Sequence, residues 1–337
     1  MRSGHPSRWR DLVDKFRVEN KKTRRGLMRT VSTSLLAGYL LFAATNVMGE
    51  EGSAFCGKQG VWIQILGSGG AELDDGNSGS SYLVWLDNKA RLLVDTAPGS
   101  SFRFDVSGAK FADLDAIVFT HLHADHAGDF PAFIDGSVFA GRDRPLPVLG
   151  PDGDKKTHPD TKTFVKRLIG LEGAFPHLAD FLTYKSSGVY KIDLRNVPAT
   201  GRRRWSRFGT QNIRLASIPV HHGGVPAVAW RVEVSGQVIV FTGDLSNQKN
   251  VIPSFAKGAD ALVIHHAIPE TARGTLKENH LTPTQIGQIA AKAEVRMLIL
   301  GHRMNRTRGR ETQSREAIEV NYTDPLVFAN DLECWGL

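Results

Sequence analysis

The segment Thr120-His121-Leu122-His123-Ala124-Asp125-His126-Ala127-Gly128-Asp129 places three imidazoles and a carboxylate within six positions, directly after the apolar run Ala116-Ile117-Val118-Phe119. Imidazole nitrogen and carboxylate oxygen are ligands that zinc takes, and H-x-H on an extended segment turns both rings to one side. Asp125 and His126 fall where the chain turns toward a helix, which supplies a second position beside the first. A solvated His-rich loop is the competing reading, and the buried-strand pattern just ahead of the cluster argues against it. More candidates stand beyond other apolar runs: His221-His222 after Val220, Asp244 after Val238 to Gly243, and His302 after Met297 to Gly301. Each alone reads as a residue capping a turn. Together they describe ligands that converge on one edge of a sheet.

The elements that must position these residues are legible as short apolar, β-branched runs. They are Val61 to Leu66, Tyr82 to Leu86, Arg91 to Val94, Ala116 to Phe119, Ile213 to Val220, Ala227 to Val234, Val238 to Phe241, Ala261 to Ile264 and Met297 to Leu300. Ser235-Gly236 between two of them is a two-residue hairpin signal. The clearest helix begins at Thr282, a capping residue followed by Pro283 and completed by Gln285, with Ile286, Ile289, Ala290 and Ala293 on one face. Helices are also expected over Thr161 to Leu171 and Glu311 to Val320. Strands with interspersed helices predict an α/β or α+β sandwich. The stretch from Asp143 to Arg207 is the least regular. It ends in Arg202-Arg203-Arg204-Trp205-Ser206-Arg207, a basic run that reads as a solvated face or as a contact for an anionic substrate.

A net charge of +7 invites a nucleic-acid partner, but its distribution does not. Residues 1–49 carry ten of the 42 basic and three of the 35 acidic side chains, which leaves 32 of each sign in the remainder. The body is neutral. The first segment has the form of an export signal, with a basic stretch, a mildly apolar run from Leu35 to Val47, and small residues after it. That run is too short and polar for a membrane span. Thr23-Arg24-Arg25-Gly26-Leu27-Met28-Arg29 resembles a twin-arginine signal; an uncleaved tail, or a start at Met28 with a plain secretory signal, are the alternatives. The expected organisation is an export signal over residues 1–49, one large domain over 55–337, and a periplasmic or secreted product without a stable membrane span. Cys56 and Cys334 then read as one disulfide between the ends of the mature chain, with two unrelated buried thiols as the alternative.

The chain resembles the metallo-β-lactamase-fold hydrolases, and within them the ribonuclease Z and arylsulfatase-like branch. The resemblance runs over nearly all of residues 60–330. It rests on Leu66-Gly67-Ser68-Gly69-Gly70, Leu93-Val94-Asp95-Thr96, the His cluster, Val225 to Trp230, Thr242-Gly243-Asp244-Leu245-Ser246, His280-Leu281-Thr282 and Gly301-His302-Arg303-Met304. It implies a single-domain αββα sandwich with two zinc ions at one end of the sheets. One zinc would take His121, His123 and His222, with His221 as the alternative; the other would take Asp125, His126 and His302, with Asp244 bridging both. Asp95 is expected to orient a ligand from behind.

The chemistry implied is ester hydrolysis by a hydroxide shared between two metals. His280 is the expected proton donor, and Asp125 and His266 complete the residues expected to carry the reaction. In the ribonuclease Z pattern a carboxylate stands where His265-His266-Ala267 has His266, a departure that weakens the case for RNA chemistry. H-x-H-x-D-H disfavours the diiron relatives, and a bridging Asp244 disfavours a true β-lactamase. Export and the neutral body disfavour transfer-RNA maturation. The expectation is an exported zinc hydrolase of small esters, phosphodiester, sulfate ester or lactone. A β-lactamase-like or ribonuclease Z-like hydrolase and a non-catalytic metal-binding protein are the alternatives. The partner expected is a small-molecule ester rather than nucleic acid; the resemblance points to a dimer, and the residues leave the oligomeric state open.

Overall fold

The computed structural model describes residues 56–337 except 155, 184–189 and 201–204. The export signal expected over residues 1–49 and the Arg202 to Arg204 part of the basic run lie outside the described residues. No helix among the described residues is long and apolar enough to cross a membrane.

The nine expected strands all form, each within a residue or two of its apolar run. In chain order the strands are β1 (Val61–Gly67), β2 (Ser81–Leu86), β3 (Lys89–Val94), β4 (Ala116–Val118), β5 (Leu146–Pro151), β6 (Ile192–Val197), β7 (Ser206–Gly209), β8 (Ile213–His222), β9 (Val225–Val234), β10 (Gln237–Phe241), β11 (Ala261–His265), β12 (Leu298–Gly301), β13 (Leu326–Phe328) and β14 (Cys334–Gly336). The helices are α1 (Ser100–Val106), α2 (Ala124–Ala127), α3 (Phe130–Ser137), α4 (Thr161–Ile169), α5 (Ile252–Phe255), α6 (Thr275–Asn279), α7 (Pro283–Ala293) and α8 (Glu311–Glu319). The stretch expected to be least regular holds β5, α4 and β6 and runs into β7.

The strands make two seven-stranded sheets, ordered β14-β1-β2-β3-β4-β5-β6 and β13-β12-β11-β10-β9-β8-β7. Their facing surfaces share one apolar layer: Ile63, Tyr82, Leu92 and Val118 of the first sheet pack with Val228, Trp230, Phe241 and Val263 of the second. Two further layers sit outside. Phe130, Phe133, Val165 and Ile169 of α3 and α4 cover the first sheet, and Ile252, Phe255, Ile286 and Ile289 of α5 and α7 cover the second. This is the αββα sandwich.

Local chemistry fixes these elements. Ser235 and Gly236 both take positive φ, 48° and 82°, as a two-residue turn joining antiparallel β9 and β10 requires. Thr282 and Gln285 close a capping box at the start of α7. Cys56 and Cys334 are joined by a disulfide with Cα atoms 5.1 Å apart, which ties the start of the described chain to β14.

Candidate metal centre

Parallel pairing brings the polar residues together. β3 and β4 run parallel in one sheet, β10, β11 and β12 run parallel in the other, and β8 is antiparallel to β9, itself antiparallel to β10. The C-terminal ends of β3 and β4, and those of β8, β10, β11 and β12, therefore share one end of their sheet. Asp95 follows β3, His121 and His123 follow β4, His222 closes β8, Asp244 follows β10, His265 closes β11 and His302 follows β12.

Three imidazoles, those of His121, His123 and His222, offer ring nitrogens within 4.8 Å of one another. His121 Nε2 and His123 Nδ1 are 3.1 Å apart. The Nδ1 of His222 donates to the carbonyl of Asn279 at 3.0 Å, which leaves its Nε2 for the cluster. A second group gathers beside it. Asp125 Oδ2 lies 3.3 Å from His302 Nε2 and 3.7 Å from His126 Nε2. Asp244 stands between the groups: Oδ2 is 3.6 Å from His222 Nε2 and 4.0 Å from His126 Nε2, and Oδ1 is 3.6 Å from His302 Nε2.

Behind the cluster, Asp95 is wholly buried and accepts three hydrogen bonds, from Thr120 N (2.7 Å), Thr120 Oγ1 (2.7 Å) and His126 Nδ1 (2.8 Å). It holds the ring of His126 in one orientation and aims Nε2 at the other donors. Thr120 is held in turn from the other sheet, since Val228 N donates to its carbonyl and Trp230 Nε1 donates to Phe119 O, both at 2.9 Å. The motif from Val225 to Trp230 thus acts by positioning the end of β4.

Glycines make room. Gly243 takes φ 59°, and a Cβ there would lie 2.6 Å from Thr120 Cβ. At Gly70 a Cβ would lie 2.7 Å from His302 Cε1. Asp95 and His302 themselves hold φ of 59° and 52°, left-handed backbone that non-glycine residues seldom adopt. Such strain concentrates at functional sites.

Charge is arranged to suit a cation. Burial pushes His121 and His123 down, so both stay neutral and keep a lone pair. For Asp244, burial favours the protonated acid, but His302, the His265 hydrogen bond and His280 outweigh it and hold the carboxylate ionised. Asp125 is likewise held ionised, burial being outweighed by His302 and His126. Burial also opposes charge on His126, and the hydrogen bond and charge of Asp95 reverse that, lifting it to about 9, so a metal taken at Nε2 would displace a proton there.

This donor set fits zinc. His126 Nε2 is buried without a hydrogen-bond partner among the described residues, although its ring is aimed at two carboxylates. Nitrogen and oxygen donors in two groups of three, with one carboxylate between, are the ligands zinc takes.

The structure gathers His121, His123, Asp125, His126, His222, Asp244 and His302, with Asp95 behind them. It leaves out two residues. His221, the alternative ligand, turns its Nδ1 to Ser246 Oγ at 2.9 Å. His266 lies off the cluster altogether. On β11, Ala261 and Val263 face the other sheet whereas Leu262 and Ile264 face the helices. The same alternation carries His265 inward and His266 outward, to a fully buried position 5.8 Å from the ring of Phe328. His265, to which the sequence assigned no role, meets the cluster. Its Nδ1 donates to Asp244 Oδ1 at 2.7 Å, and its Nε2 accepts from the Tyr82 hydroxyl at 3.3 Å. His280 follows α6 at the rim, half-buried, its Nδ1 3.9 Å from Asp244 Oδ1.

Two sheets between helices, with a His/Asp centre at the strand ends, define a metallo-β-lactamase-fold protein. The Beta-lactamase superfamily domain matches residues 90–303, and the chain belongs to that superfamily; it is a metal-dependent hydrolase. It is 30% identical over 281 residues to ribonuclease Z of Mycobacterium tuberculosis (strain ATCC 25618 / H37Rv), a match spanning 80% of this chain and 96% of the relative. Ribonuclease Z of Mycobacterium bovis (strain BCG / Pasteur 1173P2) is 29% identical over 282 residues, with the same coverage. Among solved structures, the metallo-β-lactamase fold protein YhfI from Bacillus subtilis aligns with a TM-score of 0.63 at 19% identity, over 82% of this chain and 98% of that one. The short form of human tRNase Z aligns with a TM-score of 0.60 at 16% identity, with the same coverage. These two likenesses are of fold.

Proposed function

We propose that the chain is an exported hydrolase that holds two zinc ions and cleaves small phosphodiesters. The observation that carries this reading is the position of Asp244 between the two donor groups, Oδ2 near His222 and His126 and Oδ1 near His302. His121, His123 and His222 would hold one zinc, Asp125, His126 and His302 the other, and Asp244 both. When bound, a zinc pair lowers the pKa of water to about 7 and offsets negative charge at the attacked centre.

The protein's own residues do the rest. Asp95 keeps His126 in one orientation, and the Tyr82-His265-Asp244 chain keeps the shared carboxylate in place. Burial drives His265 down to about 3, so its neutral ring donates from Nδ1 and accepts at Nε2. His280 is the proton donor for the leaving group. Burial brings it to about 4, so at neutral pH it carries one N–H, and its Nδ1 has no hydrogen-bond partner among the described residues. A neutral imidazole at the rim can take up the proton of the attacking water and, as the imidazolium so formed, give it to the leaving oxygen.

Phosphodiesters come first among esters because relatives at 29 and 30% identity are named ribonuclease Z. Export is supported by the signal-like first segment and by the Cys56–Cys334 bond, which persists in an oxidising compartment. The relatives also favour a second reading, cleavage of structured RNA; the balance of 32 basic and 32 acidic side chains beyond residue 49 speaks against it. Side-by-side assays of the zinc-loaded protein on bis(p-nitrophenyl) phosphate, p-nitrophenyl sulfate, a chromogenic cephalosporin, a lactone and a 3′-extended transfer RNA test the proposal. Preference for the first substrate is expected. Preference for the transfer RNA would favour the second reading, and preference for any other would overturn the assignment of the bond.

A further inference from the structure

A groove of about 410 Å³ lies away from the metal centre, on the helix-side face of the second sheet at its β7 edge. Strand register explains its shape. Arg207 of β7 stands opposite Ala216 of β8, which stands opposite Arg231 of β9. Two arginines thus flank one alanine, their strands about 10 Å apart, and the small side chain leaves the floor open. In the next row Gly209, Arg214 and Glu233 repeat the pattern with a glycine at the edge. Trp205 closes one end, packed edge-on against Phe255 of α5 with ring centroids 4.9 Å apart and still 40% exposed.

The charges are only partly satisfied. Arg231 is fixed by Glu233, 3.4 Å from its Nε, and donates from Nη1 to the carbonyl of Phe255 at 3.1 Å. Arg207 and Arg214 have no carboxylate partner among the described residues, and the Arg207 guanidinium sits 5.9 Å from the Trp205 ring centre. Three arginines against one glutamate leave a net positive groove beside an exposed indole. Guanidinium groups approaching from two strands suit a phosphate, and an indole with free surface suits a planar aromatic ring. One ligand chemistry supplies both, an aromatic base carrying a phosphate.

We propose that this groove is a nucleotide-binding site separate from the metal centre, in which Trp205 stacks on a base while Arg207, Arg214 and Arg231 hold its phosphate. From Ala216 to His222 the strand covers about 20 Å, too far for one nucleotide to touch both places. The site does not depend on which ester the metal centre cleaves. Its ligand is a free nucleotide or the end of an oligonucleotide.

Binding of adenosine monophosphate, tri-adenylate and inorganic phosphate to the full chain is measured by calorimetry, with the wild type and with Trp205→Ala, Arg207→Gln and Asp244→Asn. The expected result is saturable binding of a nucleotide that Trp205→Ala weakens at least about fivefold and Arg207→Gln about tenfold, and that Asp244→Asn leaves in place. Stronger binding of adenosine monophosphate identifies a free nucleotide as the ligand, and stronger binding of tri-adenylate identifies a chain end; either upholds the site. Binding lost in Asp244→Asn but kept in Trp205→Ala would put the nucleotide at the metal centre and overturn the proposal. Inorganic phosphate binding as well as either nucleotide, or no nucleotide binding by the wild type, would also overturn it. Thermal midpoints of the two groove variants separate lost binding from lost fold, and Arg214→Gln, at an exposed position, repeats the test should either variant unfold.

Discussion

His266 offers a test of burial that does not depend on the reaction. Its ring is fully buried, both ring nitrogens lack hydrogen-bond partners among the described residues, and burial, reinforced by Arg303, pushes its pKa down to about 4. In the unfolded chain the same ring takes up a proton near pH 6.5. Between those two values the unfolded state binds more protons than the folded one, so stability falls as pH drops from about 6.5 toward 4. The shift corresponds to a loss of about 2 kcal/mol between pH 7.5 and pH 5 from this one side chain. His266→Leu keeps a similar volume, removes two unpaired nitrogens and abolishes the titration. Urea unfolding of wild type and variant at both pH values should show the variant at least as stable at pH 7.5 and less sensitive to acid by about 2 kcal/mol. Equal acid sensitivity in the two proteins would refute the buried, unpaired placement of His266.

Other expectations concern the centre and the ends of the chain. His280→Ala should slow substrates with poor leaving groups more than those with good ones at unaltered zinc content, and equal slowing would count against proton donation. Asp95→Asn disturbs the three bonds that place Thr120 and His126, and should weaken zinc binding by about 10- to 100-fold in a chelator competition. Replacing Cys56 and Cys334 by Ser together should cost about 2–5 kcal/mol in denaturant unfolding, and no change would show that the bond does not form in the folded protein.

The sequence made the strands legible where β-branched runs were unbroken, as in β8 to β12. It hid β5, because Leu146-Pro147-Val148-Leu149-Gly150-Pro151 carries two prolines and a glycine that ordinarily argue against an inner strand. It hid β6 because Ile192-Asp193-Leu194-Arg195-Asn196-Val197 is polar, as its edge position allows. The candidate ligands were legible because each stands just beyond such a run. His265 could have been found by extending the alternation of Ala261 and Val263; the family pattern drew attention to His266 instead. Alternation fails on β8. Ile213 and Leu215 face the other sheet, whereas Ala216, Ile218 and Val220 face the helices, which taken alone would turn His221 inward. Contacts distant in sequence decide the matter, Ser246 holding His221 and the Asn279 carbonyl holding His222.

Asp244 is the carboxylate proposed to be shared by two metal sites. Zinc content of the purified full chain and of Asp244→Ala, measured by mass spectrometry of the metal after gel filtration, tests this directly. The wild type should hold two zinc ions per chain and the variant one or none. Equal zinc in both proteins, or a wild type that takes up fewer than two with zinc in excess, would contradict the shared site.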